Sequence, residues 1–238
     1  MPGVGEVLVE LRDVAQDYGG LRPLRIKALN LRAGHSIAIL GLDASAGAVL
    51  VNLITGASTP RAGEVRAFGR LTTEIPDSDT WLLALQQFGL LSERTILIEQ
   101  LTVEQNLAIP LTLEVDPLPP ALRDQVRSLA AELGLAPETV DRRPDSVSPF
   151  DLARVRLGRA LALAPRVLLA EHPTAALDRV DAEALAGCMS RIVAARGMAA
   201  LYITADPAFA QRAAQEVVTL KPATGDLVSS AGWRRWFV

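Results

Sequence analysis

The chain has 238 residues, half of them hydrophobic and only 4% aromatic, with 24 Lys+Arg against 27 Asp+Glu for a net charge of −3. That length supports one large domain with a substantial core, and the aliphatic bias suits an α/β protein with buried parallel strands. The missing basic surplus argues against nucleic acid as a direct partner, and the single Cys188 excludes an internal disulfide and a cysteine zinc cluster. The opening MPGVGEVLVELRD lacks a positively charged start followed by an apolar run, so no signal peptide is read there. No stretch approaches the roughly 18 apolar residues of a spanning helix. A cytosolic protein is expected, with any membrane association made through a partner.

Val7 to Leu11 and Leu24 to Leu31 alternate apolar and polar residues, which predicts two antiparallel strands of a peripheral sheet. Ser36 to Leu40 is a continuous apolar strand, followed by a small-residue turn and a helix running over Val49 to Ile54 and closed by Gly56. Gly63 to Val65 and Trp81 to Leu85 read as short strands. From Phe88 to Ala164 the pattern is mostly helical, with a stripe over Ala121 to Leu133 closed by Gly134 and a further helix from about Asp151 to Leu163. Alternation then returns, with strands at Val167 to Ala170, Ala199 to Thr204 and Val217 to Leu220. Helices at Val180 to Ala195 and Pro207 to Ala214 lie between them. Strand–helix–strand repetition predicts a parallel sheet with right-handed crossovers.

The strand, turn and helix over Ile37 to Gly56 have the order of a phosphate-binding loop, in which backbone N–H groups and a helix N-terminus face an anion. The pattern G-x-x-x-x-G-K-[ST] supplies a lysine for the outer phosphates and a hydroxyl for magnesium. Here its positions read Gly41, Ala46, Gly47 and Ala48.

Further stretches keep register with that loop: Tyr18, Gln86 in ALQQFGLL, LTVEQNLAIPL at Leu101 to Leu111, VSPFDLARVRLGRALALAPRVLLAEHPTAALD at Val147 to Asp178, and Thr204-Ala205-Asp206. In this order the chain resembles, over nearly its whole length, the nucleotide-binding subunit of an ABC transporter, most closely the lipoprotein-release and macrolide-export type. The resemblance implies an α/β fold with a P-loop NTPase-like ABC ATPase core and parallel sheet, an N-terminal antiparallel β subdomain and an inserted α-helical subdomain. It implies a single domain, with residues 1–87 and 165–238 as core and 88–164 as the helical part. It also implies ATP and magnesium as cofactors, a membrane subunit as partner, and head-to-tail pairing with a second ATPase subunit as homodimer or heterodimer.

By that resemblance the nucleotide-binding positions are Tyr18, Gly41, Leu42, Asp43, Ala44, Ser45, Ala46, Gly47, Ala48, Val49 and Gln86. Glu171 takes the Walker B aspartate position, His172 that of the catalytic glutamate and Ala205 that of the switch histidine. Ser148, Pro149, Phe150 and Asp151 form the signature, and Asp178 closes the D-loop. The departures are chemical. Gly47 removes a charge-assisted phosphate contact worth roughly 1.5–3 kcal/mol. Ala48 and Val49 remove the magnesium ligand, leaving only Gln86 and Glu171 as metal candidates. Ala44 and Ala46 stand at glycine positions, where a left-handed backbone costs roughly 1–2 kcal/mol per residue. Asp43 adds a negative charge near the expected anion. Pro149 has no N–H to donate and Phe150 adds bulk. His172 could serve as a substitute base, since an unperturbed imidazole titrates at about 6.5.

The reading that results is a degenerate ABC ATP-binding subunit with weak or no hydrolysis, held at the inner face of a membrane by its partner and serving a regulatory or structural role. Two alternatives stand beside it. One is an active ATPase with an altered site, for which Arg154, Arg156 and Arg159 are candidate charges but are expected on different sides of their helix. The other is an interaction module unrelated to transport. The segment SERTILIEQ, Ser92 to Gln100, is expected either to help form a groove for a membrane subunit or to be a locally packed surface loop. The tail GWRRWFV at 232–238 is expected to dock on its own domain or lie against a partner or membrane interface.

Overall fold

The computed structural model describes residues 5–20, 22–92 and 94–229. The tail at 232–238 and the first four residues of the N-terminal reading lie outside these. Strand β1 (Val7–Gln16) pairs antiparallel with β2 (Leu24–Arg32), setting Leu11 opposite Leu29 and Val14 opposite Ile26. All four of these side chains are buried, as the alternation requires. β3 (Ser36–Leu40) leads into helix α1 (Ala44–Thr55), which ends at Gly56 with a left-handed φ of 73°. β4 (Ala62–Ala67) and the two-residue β5 (Arg70–Leu71) complete a four-stranded sheet of order β2-β1-β4-β5.

The next two elements differ from the sequence expectation. Trp81 to Leu85, expected as a strand, lies in helix α2 (Ser78–Leu85). Asp77 caps it by accepting from the Thr80 amide at 2.7 Å, and the Trp81 indole donates to the Thr55 carbonyl at 2.9 Å. A capping carboxylate satisfies an otherwise orphaned first-turn N–H, which outweighs a short apolar run that is ambiguous by itself. The strand instead comes later, as β6 (Phe88–Leu91), so the central sheet takes in residues expected to open the helical block.

The helical block contains α3 (Val103–Ala108), α4 (Pro120–Glu132) and α5 (Pro149–Leu161). Thr102 and Gln105 form a reciprocal capping box on α3. The chain returns to the sheet through β7 (Val167–Glu171), α6 (Arg179–Arg196), β8 (Ala199–Ile203), α7 (Pro207–Ala213) and β9 (Glu216–Lys221). A last strand, β10 (Asp226–Ser229), pairs antiparallel with β9 and was not anticipated. The sheet order is β10-β9-β3-β8-β7-β6, parallel from β9 through β6.

Alternate residues of the parallel strands feed two cores. Leu168, Ala170 and Tyr202 pack with the helical block, whereas Leu169, Ile37, Ile39 and Leu201 pack with α1 and the antiparallel sheet. Cys188 is buried in the first core as a free thiol.

Gly89 shows how closely β6 and α5 approach. A Cβ there would lie 2.4 Å from the Ala160 carbonyl oxygen, a backbone atom that cannot swing aside. Gly89→Ala is therefore expected to lower unfolding stability by roughly 1–3 kcal/mol, the usual range for overpacking. Urea denaturation checks this, and an unchanged midpoint would contradict the packing.

Candidate functional site

Because β3, β8, β7 and β6 run parallel, their C-terminal ends share one edge, which is where open α/β sheets present their loops for binding. At that edge the turn between β3 and α1 is short. Gly41 takes φ 91°, Leu42 is buried, and Asp43 is extended with φ −76° and ψ 173°. The Asp43 carboxylate accepts from the Ala46 amide at 2.8 Å, and the Asp43 carbonyl accepts from the Gly47 amide at 2.8 Å.

α1 thus begins at Ala44, five residues before the Val49 start expected from the sequence. Ala44 and Ala46 are helical and neither has a positive φ, so the left-handed strain expected at these positions does not arise. The cause is local. Alanine is the best helix former, Asp is among the best N-caps, and a carboxylate is favoured at the positive end of the helix dipole. Ser45 is exposed, Ala48 is buried and Val49 is half-buried against the second core.

A Cβ at Gly47 would stand 3.2 Å from Ile203 Cγ2 and 3.8 Å from His172 Nε2. His172 directly follows β7 and holds a left-handed φ of 44°. Its amide donates to the Ile203 carbonyl at 2.8 Å, tying the end of β7 to β8. Its Nε2 is buried without a hydrogen-bond partner.

Glu171, at the last position of β7, is paired with a residue that the sequence reading did not single out. Arg94 Nη2 lies 3.1 Å from Glu171 Oε2, with the Glu171 side chain only 14% exposed. Burial pushes the Glu171 carboxyl above its ordinary value, opposed by the nearby Arg94 guanidinium. Ser92, Arg94, Glu171, His172, Ala44 and Ala175 line a cavity of about 290 Å3 between α1 and the strand ends.

Gln86 is not at this edge. It caps the C-terminus of α2, ahead of β6, and Gln87 O accepts from Arg166 N at the start of β7. Glu171 lies five residues beyond Arg166, about 16 Å along the strand. Gln86 and Glu171 therefore cannot share a magnesium ion, and Gln86 is withdrawn as a nucleotide-facing residue. The apolar run Phe88-Gly89-Leu90-Leu91 was the overlooked signal. Read as the strand, it brings Ser92 and Arg94 to the site.

The magnesium and nucleotide implied by the resemblance find few donors. Residues 47–49 offer neither ammonium nor hydroxyl, Asp43 holds the Ala46 N–H, and Arg94 holds Glu171. Among the described residues no cluster of three His, Cys, Asp or Glu side chains suits a metal.

The remaining predicted positions are spread around the same edge or beyond it. Tyr18 follows β1 and packs half-buried on the core that also holds Leu42 and Val49. Ala205 follows β8 and is exposed. Asp178 caps α6 by accepting from the Asp181 amide at 2.9 Å. Ser148 caps α5, accepting from the Asp151 amide at 3.1 Å, and Pro149 fills the first helical position. Phe150 lies under the Arg154 guanidinium, 3.8 Å from ring centroid to carbon. Arg154 also reaches Asp151 Oδ1 and the Gly134 carbonyl, both at 3.1 Å. Arg156 and Arg159, expected on different sides of the helix, both turn to the segment after β6, as an i, i+3 pair can.

A parallel sheet ending in a strand–turn–helix anion frame, with a helical block inserted before β7, defines a P-loop-type α/β cassette. The family model described as "ABC transporter" matches residues 24–175, and the chain belongs to that family. It is 31% identical over 217 residues to the macrolide export ATP-binding/permease protein MacB 1/2 of Paracoccus denitrificans, covering 90% of this chain and 32% of that protein. It is 29% identical over 178 residues to the lipoprotein-releasing system ATP-binding protein LolD of Psychrobacter arcticus, covering 75% of this chain and 78% of that one. The chain thus spans about a third of the length of the first MacB relatives. Its fold matches the ATP-binding cassette MJ0796 in a dimeric post-hydrolysis state bound to ADP and Pi, with TM-score 0.74, 24% identity and coverage of 92% of this chain and 96% of that one. It also matches cbiO1 from Clostridium perfringens, with TM-score 0.79, 18% identity and coverage of 94% and 87%. Tyr18, Asp178 and Ala205 fall outside the matched family segment.

Two outcomes follow from this geometry. Asp43→Ala is expected to cost about 1 kcal/mol of stability by uncapping α1, while Asp43→Asn retains most of it; denaturation of both variants checks this, and equal losses would contradict the cap. The Glu171 carboxyl is expected to titrate above an ordinary glutamate, and higher still in Arg94→Gln. Because its folded pKa is raised, its share of stability is complete below the ordinary value and is lost as pH rises through the raised one. Carbon NMR of labelled glutamate reads the midpoint, and one at or below the ordinary value would contradict the burial.

Proposed function

We propose that the chain is an ATP-binding-type subunit of an ABC transport complex that hydrolyses ATP weakly or not at all and serves as a regulatory or structural partner. The observation that carries this reading is the Asp43 carboxylate on the Ala46 amide, which places a negative charge where a phosphate would take the helix N-terminus. The missing lysine at Gly47 weakens phosphate binding by roughly tenfold to more than a hundredfold on its own. Without a hydroxyl at 48 or 49 and with Glu171 engaged by Arg94, charge neutralisation of a transferring phosphoryl group has little support. On α5, Pro149 offers no amide and Ser148 takes the Asp151 amide, which leaves fewer donors for a phosphate from a paired subunit.

In this reading the chain pairs with itself or with another ATPase subunit and acts beside a membrane subunit. It reaches the membrane through that partner; among the described residues no helix is long and apolar enough to cross one. A cavity of about 590 Å3 between α2, β6, the end of α3 and α5, edged by the exposed Leu82, Leu90 and Leu163, supports the docking of such a partner.

The experiment is nucleotide titration by calorimetry with and without magnesium, paired with a steady-state ATPase assay alone and with the purified transport complex. Binding weaker than about 100 μM and no turnover above background are expected. Submicromolar, magnesium-dependent binding with turnover lost in His172→Ala would overturn the proposal. That second outcome would fit a working site with an altered base, which the unpartnered His172 Nε2 beside Gly47 makes the competing reading.

A further inference from the structure

Residues 94–98, beyond β6, are held from three sides. Arg94 ties their start to Glu171 at the end of β7, at 3.1 Å. From α5, Arg156 Nε donates to the Thr95 carbonyl at 3.2 Å and Arg159 Nη1 to the Ile96 carbonyl at 2.6 Å. From α3, the fully buried Asn106 accepts from the Ile98 amide at 2.8 Å and donates to the Ile98 carbonyl at 3.0 Å. The Thr95 amide is closed onto the Ser92 carbonyl at 3.1 Å.

This anchoring is costly to dispense with, because the segment turns apolar residues outward. Ile96 is 78% exposed and Ile98 43%, while only Leu97 points into the core at 7%. A loop with one buried side chain in five has little packing of its own to order it and would ordinarily sit at the low-stability end of a fold. Order here comes from charge-assisted and carbonyl hydrogen bonds to elements on both sides, the sheet through Glu171 and the helical block through α3 and α5.

We infer that Arg94 is a built-in counter-ion at Glu171, a positioning residue that keeps the segment after β6, with its exposed Ile96 and Ile98, in one arrangement against α5 without any nucleotide or metal. Glu171 is enclosed enough to need a partner, and Arg94 supplies one from the chain itself, so the two sides of the site are joined permanently rather than on ligand binding. This rests on the proposed reading of the site as one that nucleotide does not operate, but it is tested separately from it.

The test is residue-resolved hydrogen exchange on the full chain without nucleotide. In Arg94→Gln the Thr95 amide is expected to exchange at least tenfold faster, with the amides of α4 unchanged as a control for global stability. The charge swap, Arg94→Glu with Glu171→Arg, is expected to recover most of the protection. Arg94→Lys, which keeps the charge without the planar fork, should fall between and serves if Arg94→Gln does not fold. Exchange within twofold of wild type in both Arg94 variants would overturn the inference. So would a tenfold gain in wild-type protection on adding 1 mM ATP with magnesium. Hydrolysis by a wild-type protein whose Arg94 variants still release the segment would sink the proposed function and leave this inference standing; unaltered exchange in a protein that binds no ATP would do the reverse.

Discussion

One carboxylate sets the geometry of the sheet edge. Asp43 bonds to the first turn of α1 and so starts the helix at Ala44, which shortens the turn after β3. An anion-binding loop needs its helix N-terminal amides unspent, since their orphaned N–H groups and the dipole behind them are the binding site. Here the protein spends the Ala46 amide on its own side chain. Everything else at the edge accords with that choice: alanines that favour helix, a glycine at 47 set close against Ile203, and an arginine on the carboxylate at the end of β7.

The electrostatics are internally closed. A largely enclosed carboxylate such as Glu171 is disfavoured by desolvation and is eased by a counter-charge. Here Arg94 fills that role. The same economy recurs at α5, where Ser148 satisfies the first-turn amide, Pro149 removes another, and Phe150 is covered by Arg154. Both helix N-termini that could face a phosphate are capped from within. The family architecture persists because its stability comes from the two aliphatic cores on either side of the parallel sheet, and these do not depend on a ligand.

Much of this was legible in the sequence. The parallel strands β3, β7 and β8 and the long helices α4, α5 and α6 were readable because continuous aliphatic runs and 3.6-residue stripes are unambiguous at their lengths. The turn after β3, the start of α5 and the end of β7 fall at the boundaries their spacing implied. The errors came from short segments. Trp81 to Leu85 fits a strand or a helix by pattern, and the cap at Asp77 decides it. That misreading displaced the next strand and put Gln86 at the wrong end of the sheet, hiding Ser92 and Arg94. The early start of α1 was hidden for a different reason. Alanines at the pattern's glycine positions suggested left-handed strain, whereas both lie in α1 with no positive φ.

The Asp43 carboxylate sits on the Ala46 amide, where an anion would meet the N-terminus of α1. A crystal structure of the protein grown with millimolar ATP and magnesium tests it most directly. The Asp43 carboxylate is expected to remain on the Ala46 amide, with Arg94 still on Glu171 and no phosphate at the helix N-terminus. Phosphate oxygens on the amides of residues 44–47, with Asp43 turned away, would contradict it.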